Sequence, residues 1–343
     1  MKQAQQRVKA GKYRSFLETR YYAQGVKVAL PVLTVKGSKS GKMAVIMACQ
    51  HGRELNGIAA IERVFRQLNP RKLKGTVVFL PVMNPIGARI HAQDYPLEQT
   101  RYRKINIVTK MNMNRVWFDA RQSSNHTYSR EVTKVVWDAY LKHADVCLDL
   151  HGWSGLTLSL AMADKKHRAL LHAFGCPWCH VIMDGCNRDS GMNHDLMAAH
   201  GIATIVCELV PQNIINNESV RIGERGILNI MKFTGMLDGD LDLPEYQYEF
   251  MGLRGEMSVK TPAEGLVVTD FSKGQMVRKG QTVVRVLSLE TLATAWEFRA
   301  PHDALIFQVG GSSSGEDIPE SSMVYPGQTV AVLKKSIRII HNR

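Results

Sequence analysis

The chain has 343 residues, 45% hydrophobic and 22% charged, a balance ordinary for a soluble globular protein and sufficient for one large domain plus a smaller one. No stretch approaches the ~20 consecutive apolar residues of a membrane-spanning helix, and the basic start MKQAQQRVKAGKYRSF lacks the apolar core of a secretory signal, so a cytoplasmic protein without a membrane partner is expected. The net charge of +13 suits either a solvated basic surface or attraction of small anionic substrates. Zinc-finger spacings and aromatic RNP-like strands are missing, which argues against nucleic acid.

In chain order, residues 1–24 read as a polar N-terminal extension, with six basic side chains against Glu18 alone in the first twenty positions. From residue 25 to about 240, strand-like and helix-like runs alternate. The strand-like runs are MAVIMACQ (43–50), TVVFLPVMN (76–84), ADVCLDLHG (144–152), HVIMDG (180–185) and ATIVCELV (203–210). The helix-like runs cover 57–68, 129–144, 167–174, 193–201 and 217–237, the last weakened by Gly223 and Gly226. The strands are continuous apolar runs, as in a sheet covered on both faces, and the alternation predicts a three-layer α/β/α domain with functional residues where strands end. Residues 238–244 (DGDLDLP) read as a linker.

After residue 250 the texture becomes short β pieces punctuated by glycine. TPAEGLVV…KGQMVRKGQTVVRVL and RAPHDALIFQV…MVYPGQTVAVL form a near-repeat, which predicts a small two-sheet β domain over 250–340 similar to the barrel-sandwich of biotinyl and lipoyl carriers. The segment joining the two halves, SLETLATAWEF (288–298), has no lysine to act as a carrier acceptor. The domain is therefore expected to be structural or to line a cleft.

The chemistry-bearing residues stand at strand ends. His51-Gly52-Arg53-Glu54 follows the first apolar run, where a His and a Glu three residues apart on a turn can converge on one metal ion, with Gly52 allowing a tight turn. Asp149-Leu150-His151-Gly152 ends the third run, and Asp149 either orients His151 or anchors a loop. Two histidines and one glutamate with an open position make the ligand set of a catalytic zinc, one ion per chain. Glu208 interrupts an apolar strand and is the candidate general base, because a carboxylate there belongs in a polar cleft. Asn114 and Arg115 offer a clamp for a substrate carboxylate, and Arg103 can stabilise an oxyanion. Cys176-Pro-Trp-Cys179-His180 fits redox and haem-attachment patterns, but its placement between a helix-like and a strand-like run favours buried structural thiols.

The order His-Gly-x-Glu, Asn84-Pro85, Asn114-Arg115, Asp-Leu-His-Gly, strand-Glu resembles the aspartoacylase/succinylglutamate desuccinylase family over about residues 25–235. The resemblance implies a zinc carboxypeptidase-like fold with a mixed sheet, and His51, Glu54 and His151 as zinc ligands. It implies Glu208 as the base that activates water, Asn114 and Arg115 as the grip on a substrate carboxylate, and Arg103 as the carbonyl-polarising arginine, with Arg101 competing for that role. The implied activity is hydrolysis of the amide bond of an N-acyl amino acid or a related small anionic molecule. An esterase or a carboxypeptidase acting on small substrates, and a non-catalytic ligand-binding member of the fold, are the alternatives; a homo-oligomer is compatible with all of them. Two departures, Arg53 where the family carries an acidic residue and Asn112-Met113-Asn114-Arg115 where it carries Asp-Leu-Asn-Arg, fall where substrate choice is set.

Overall fold

A computed structural model describes residues 9–23, 25–102, 107–118, 127–182, 190–251, 256–311, 321–335 and 337–342. Its centre is a ten-stranded sheet. The strands in chain order are β1 (Gly11–Ala23), β2 (Val26–Lys36), β3 (Lys39–Ala48) and β4 (Lys74–Leu80), then a separate hairpin of β5 (Gln99–Tyr102) and β6 (Ile107–Lys110). The central sheet continues with β7 (Val146–His151), β8 (Leu160–Asp164), β9 (Trp178–Ile182), β10 (Ala203–Glu208) and β11 (Tyr246–Met251). The helices are α1 (Asn56–Gln67), α2 (Pro85–Arg89), α3 (Tyr128–Ala139), α4 (Arg168–Phe174), α5 (Asn193–Ala199) and α6 (Asn217–Phe233).

The middle of the sheet, β4-β3-β7-β10, is parallel, while β8 enters antiparallel to β10 and β9 and β11 follow parallel to β8. Because side chains alternate along a strand, one row of β3 (Ala44, Ile46, Ala48) packs under α1, α4 and α6. The other row (Val45, Met47) packs with Tyr128, Val132 and Val136 of α3 and Leu196 and Met197 of α5. Both faces are thus covered, and this is why the central strands read as unbroken apolar runs. No helix among the described residues is long and apolar enough to cross a membrane.

The expected elements lie within a few residues of their predicted bounds among the described residues, and the structure adds strands β1, β2, β8 and β11 and helix α2 to them. Gly11–Ala23, within the expected N-terminal extension, forms edge strand β1 antiparallel to β2. Its outer side chains meet water, with Phe16 73% exposed, so only Leu17, Thr19 and Tyr21 carry a burial signal. Strand β8 was not expected either; it is a short buried run between a loop and the 3-10 turn that leads into α4, and it sits between β10 and β9.

Glycines 223 and 226 in α6 follow from packing. A Cβ at Gly223 would crowd Ala60 of α1 and Leu209, and one at Gly226 would overlap the Phe174 ring of α4. The helix gives up propensity to let its neighbours approach.

The C-terminal segment adds β12 (Glu256–Lys260), β13 (Gly265–Val268), β14 (Met276–Val277), β15 (Thr282–Leu287), β16 (Thr294–Arg299), β17 (Ala304–Val309), β18 (Met323–Val324) and β19 (Thr329–Lys334). They form two antiparallel four-stranded sheets, β12-β19-β17-β14 and β16-β15-β13-β18, around a core of Val277, Val283, Ile306, Val330 and Leu333 with others. The final strand β20 (Arg338–His341) then leaves these sheets and pairs with β11 at the edge of the central one. Leu305, Phe307 and Val332 pack with Leu160 and Phe250 of the central sheet. The small sheets therefore lie against the β8-β9-β11 half of the large one and wall a cavity there.

Candidate metal centre and its cavity

Strand β3 ends in a backbone reversal at Cys49, whose φ of 57° is left-handed, and the loop that follows carries Gln50, His51 and Glu54 into the start of α1. Gly52 has a different role from the one its sequence suggested. It does not require a positive φ; a Cβ there would run into the backbone at Gly87 and Ala92, while its N–H donates to Gln93 O at 2.9 Å. Close approach of the 87–93 segment therefore demands a residue without a side chain at this point.

The parallel neighbour β7 ends on His151, placing its ring beside this loop, with ring centroids of His51 and His151 5.3 Å apart. His51 Nδ1 lies 2.7 Å from Glu54 Oε1 and His151 Nδ1 3.0 Å from Glu54 Oε2. Candidate ligand atoms of the three buried residues all fall within 4.8 Å of one another. The opposite nitrogen of each ring meets an oxygen: His51 Nε2 is 3.0 Å from Asn112 Oδ1, and His151 Nε2 is 3.1 Å from Asp149 Oδ2. An imidazole whose Nε2–H donates outward presents its Nδ1 lone pair inward, which is the arrangement a metal-ligating histidine needs. Edges of a tetrahedral zinc site run ~3.3 Å, so small adjustments would fit the three groups around one ion. Asp149, at two residues' spacing on β7, thus faces the His151 ring.

Asp149 is itself held by Gln50, whose Nε2 donates to both carboxylate oxygens at 2.8 and 2.7 Å, and by Asn193 Nδ2 at 3.1 Å. Trp117 Nε1 donates to Gln50 Oε1 at 2.9 Å, which fixes the way that amide faces. Gln50, Trp117 and Asn193 were not singled out in the sequence, and Asn112 only as a departure from Asp-Leu-Asn-Arg. Gln50 directly precedes a candidate ligand, but no spacing rule marks Trp117 or Asn193.

The electrostatics of the cluster match a cation site. Burial opposes ionisation of Glu54, yet the flanking imidazoles hold its carboxyl down to about 2. Burial likewise opposes protonation of His51, but Glu54 outweighs it and pushes the imidazole up to about 9. Without a metal, protons supply the positive charge that the buried carboxylate requires.

Glu208 closes strand β10 directly opposite His151 in the parallel ladder and lines the same cavity as the three candidate ligands. Burial, reinforced by the negative charge of Glu54, pushes its carboxyl up to about 7 against the pull of His151. Asn114 and Arg115 sit in a short 3-10 turn and also line the cavity. Asn114 Nδ2 is 3.4 Å from His151 Nε2, its Oδ1 accepts from the Asn193 N–H at 2.9 Å, and Arg115 Nη1 donates to Asn114 O at 2.8 Å. Arg103 lies outside the described residues, and the backbone of Arg101 is in β5. The cavity has a volume of about 1060 Å³, at the upper end for a small-molecule site, and reaches Phe307 and Lys334 of the C-terminal sheets.

Cys176 and Cys179 are fully buried free thiols, with Cys179 Sγ 3.4 Å from Cys176 O. They face the core under α4 and α6, away from the cavity.

Comparison with known proteins agrees with this geometry. The chain is 25% identical, over 90% of its length and 86% of the relative's, to the N-alpha-acetyl-L-2,4-diaminobutyric acid deacetylase of Halomonas elongata. Among solved structures, a succinylglutamate desuccinylase/aspartoacylase from Rhodobacter sphaeroides superposes with a TM-score of 0.73 at 21% identity, covering 98% of this chain and 97% of that one. The product-bound ectoine utilization protein EutE (DoeB) of Ruegeria pomeroyi gives 0.74 at 20% identity, covering 95% of each chain. The profile of the succinylglutamate desuccinylase/aspartoacylase catalytic domain matches residues 40–234, a span that contains all three candidate ligands, Asp149 and Glu208, and the chain belongs to this family.

Proposed function

We propose that the protein is a zinc-dependent deacylase that cleaves the amide bond of an N-acyl amino acid or a closely related small anionic molecule. The observation that carries this reading is the convergence of two imidazole Nδ1 atoms on the two oxygens of Glu54, in a cavity that also holds Glu208. Both rings have their outer nitrogens against oxygens, so the donor set suits zinc. When bound, the metal supplies Lewis acidity that polarises the scissile carbonyl and lowers the pKa of water.

The chain's own groups do the rest. Glu208, whose carboxyl burial pushes up to about 7 in the metal-free site, takes a proton from the attacking water and returns it to the leaving nitrogen. Asn114 and Arg115 bind the substrate carboxylate, and Arg103 stabilises the oxyanion. In this reading, 25–240 is a zinc carboxypeptidase-like catalytic unit and 250–340 a barrel-sandwich-like appendage. Five buried, unbridged cysteines (Cys49, Cys147, Cys176, Cys179, Cys207) support a cytoplasmic setting.

Metal analysis joined to a panel of N-acyl amino acids, acyl esters and dipeptides tests the proposal. Purified protein should carry about one zinc per chain and hydrolyse amides of the first class. Glu208→Gln should retain the metal and lose at least ~100-fold in kcat. Full turnover by Glu208→Gln, or activity indifferent to chelation, overturns the mechanism.

A further inference from the structure

The cavity beside the candidate metal centre is larger than an acetylated amino acid requires. Such a molecule has about a dozen heavy atoms, which at ~30 Å³ apiece, the share of a liquid water, fill roughly 360 Å³. The cavity holds about 1060 Å³, so most of it is left for another part of the ligand.

The ladder registers show where that space lies. Glu208 on β10 is the partner of Leu160 on β8. Two residues along, Val206 is the partner of Met162, and the row continues through His180 on β9 to Phe250 on β11. Side chains two apart share a face. Leu160, Met162, Ile182, Val206 and Phe250 line the cavity with Glu208, and Phe307 joins them from the C-terminal sheet. The floor thus runs away from Glu208 over three strand spacings, about 14 Å at ~4.8 Å each. Its side chains are aliphatic, thioether or aromatic. An extended alkyl chain advances about 1.25 Å per ~1.52 Å C–C bond, so about ten carbons span this floor.

Two polar side chains border it, and neither offers an unengaged charge. The Lys334 ammonium lies 5.0 Å from the ring centroids of both Phe250 and Phe307, which hold it. His180 stacks on Phe250, and burial with the Lys334 charge pushes the ring down to about 4, so it stays neutral at neutral pH. Among the described residues, the acids lining the cavity, Glu54 and Glu208, stand at the metal end. The polar groups proposed to hold the substrate carboxylate lie the other way. Asn114 Nδ2 is 3.4 Å from His151 Nε2, and His151 is on β7, across β10 from β8. The two arms of a trans amide leave the scissile bond in opposite directions. A carboxylate held by Asn114 and Arg115 therefore sets the acyl arm over the apolar floor.

We infer that this floor is an acyl-chain pocket, and that the enzyme prefers N-acyl amino acids with a medium-length aliphatic acyl chain over acetylated ones. The inference rests on the deacylase reading for the bond that is cleaved.

The test measures kcat/KM of the zinc-loaded protein for N-acyl-L-alanines from acetyl to tetradecanoyl, below their critical micelle concentrations. The value should rise about two- to fourfold per methylene, as expected for burial of one CH2 group, and stop rising beyond about ten carbons. N-acetyl-L-leucine and N-acetyl-L-phenylalanine lengthen the amine side instead and should gain little over N-acetyl-L-alanine. Met162→Trp puts bulk partway along the floor, so the decanoyl-to-acetyl ratio should fall at least ~10-fold and the optimum should move to shorter chains. If that variant does not fold, Ile182→Trp should lower the same ratio. Acetyl as the best acyl group, a gain confined to the amine side, or a ratio that the folded variant leaves unchanged overturns the pocket.

Calorimetric binding of the same series to zinc-loaded Glu208→Gln separates the pocket from the deacylase reading. Affinity that rises with chain length and falls when Met162→Trp is added, without turnover by the wild type, leaves the pocket standing and removes the deacylase. Turnover that ignores chain length does the reverse, and neither turnover nor length-dependent binding removes both.

Discussion

Replacing Asp149 by Asn probes the reasoning about the metal centre most directly. Three donors converge on this fully buried carboxylate: both its oxygens take the Gln50 amide at 2.8 and 2.7 Å, one takes Asn193 at 3.1 Å, and His151 Nε2 stands 3.1 Å away. Trp117 prevents Gln50 from turning its oxygen inward instead, because that oxygen already accepts the indole N–H. An amide of the same shape offers one acceptor oxygen where the carboxylate offers two, and its NH2 must face a donor. All three donors meet Oδ2, so an amide that keeps its oxygen there sets its NH2 against the Gln50 NH2 and leaves His151 with a neutral acceptor in place of the charged one that keeps its proton on Nε2 and its Nδ1 free. Removing such an orienting partner typically weakens metal binding by ~10–100-fold, or ~1.4–2.7 kcal/mol. Competition for zinc against a chromophoric chelator at fixed pH measures this, with circular dichroism and thermal unfolding as a check that the isosteric variant folds. A zinc affinity within about 3-fold of wild type, on a folded protein, would falsify the assignment of Asp149 as the partner that orients His151.

The metal-free cluster predicts a proton linkage. His51 is pushed up to about 9 and must be neutral to ligate, so metal binding at pH 7.5 should release at least one proton, and affinity should fall as pH is lowered. Calorimetry in buffers of different ionisation enthalpy reads the release, and a buffer-independent heat would count against the site. The sign for stability follows: a histidine raised in the folded state stabilises the metal-free protein fully below its unfolded value of ~6.5. That contribution is lost as pH rises through about 9, so chelated protein should lose melting temperature over this window relative to a His51→Gln variant. Gly226→Ala should destabilise although alanine is the better helix former by ~1 kcal/mol, because its Cβ overlaps Phe174 and overpacking costs ~1–3 kcal/mol. A raised melting temperature would show that α6 has room to shift.

Much of the architecture was legible because the central strands are buried on both faces and their apolar runs end at polar, chemically active residues. His51, His151 and Glu208 stand out in the sequence because each closes or follows such a run, and parallel pairing of β3, β7 and β10 brings these ends to one edge of the sheet. Edge strand β1 was hidden because most of its side chains meet solvent, so no apolar period betrays it. Strand β20 was hidden because four apolar or basic residues, RIIH, do not announce which sheet they will join.

Local period and residue type alone made legible the α/β alternation, the glycine-punctuated β texture after 250 and His51, Glu54 and His151 as candidate metal ligands. Only the tertiary structure decided that Asp149 faces His151 rather than anchoring a loop, that Gly52 and Gly226 answer to close backbone and ring neighbours, and that Lys334 and His180 share a cavity with Glu208. The physical reason is distance along the chain. Lys334 reaches His180 through the folding of the small sheets over β9 and β11, and contacts between residues so far apart leave no period or spacing in the sequence between them.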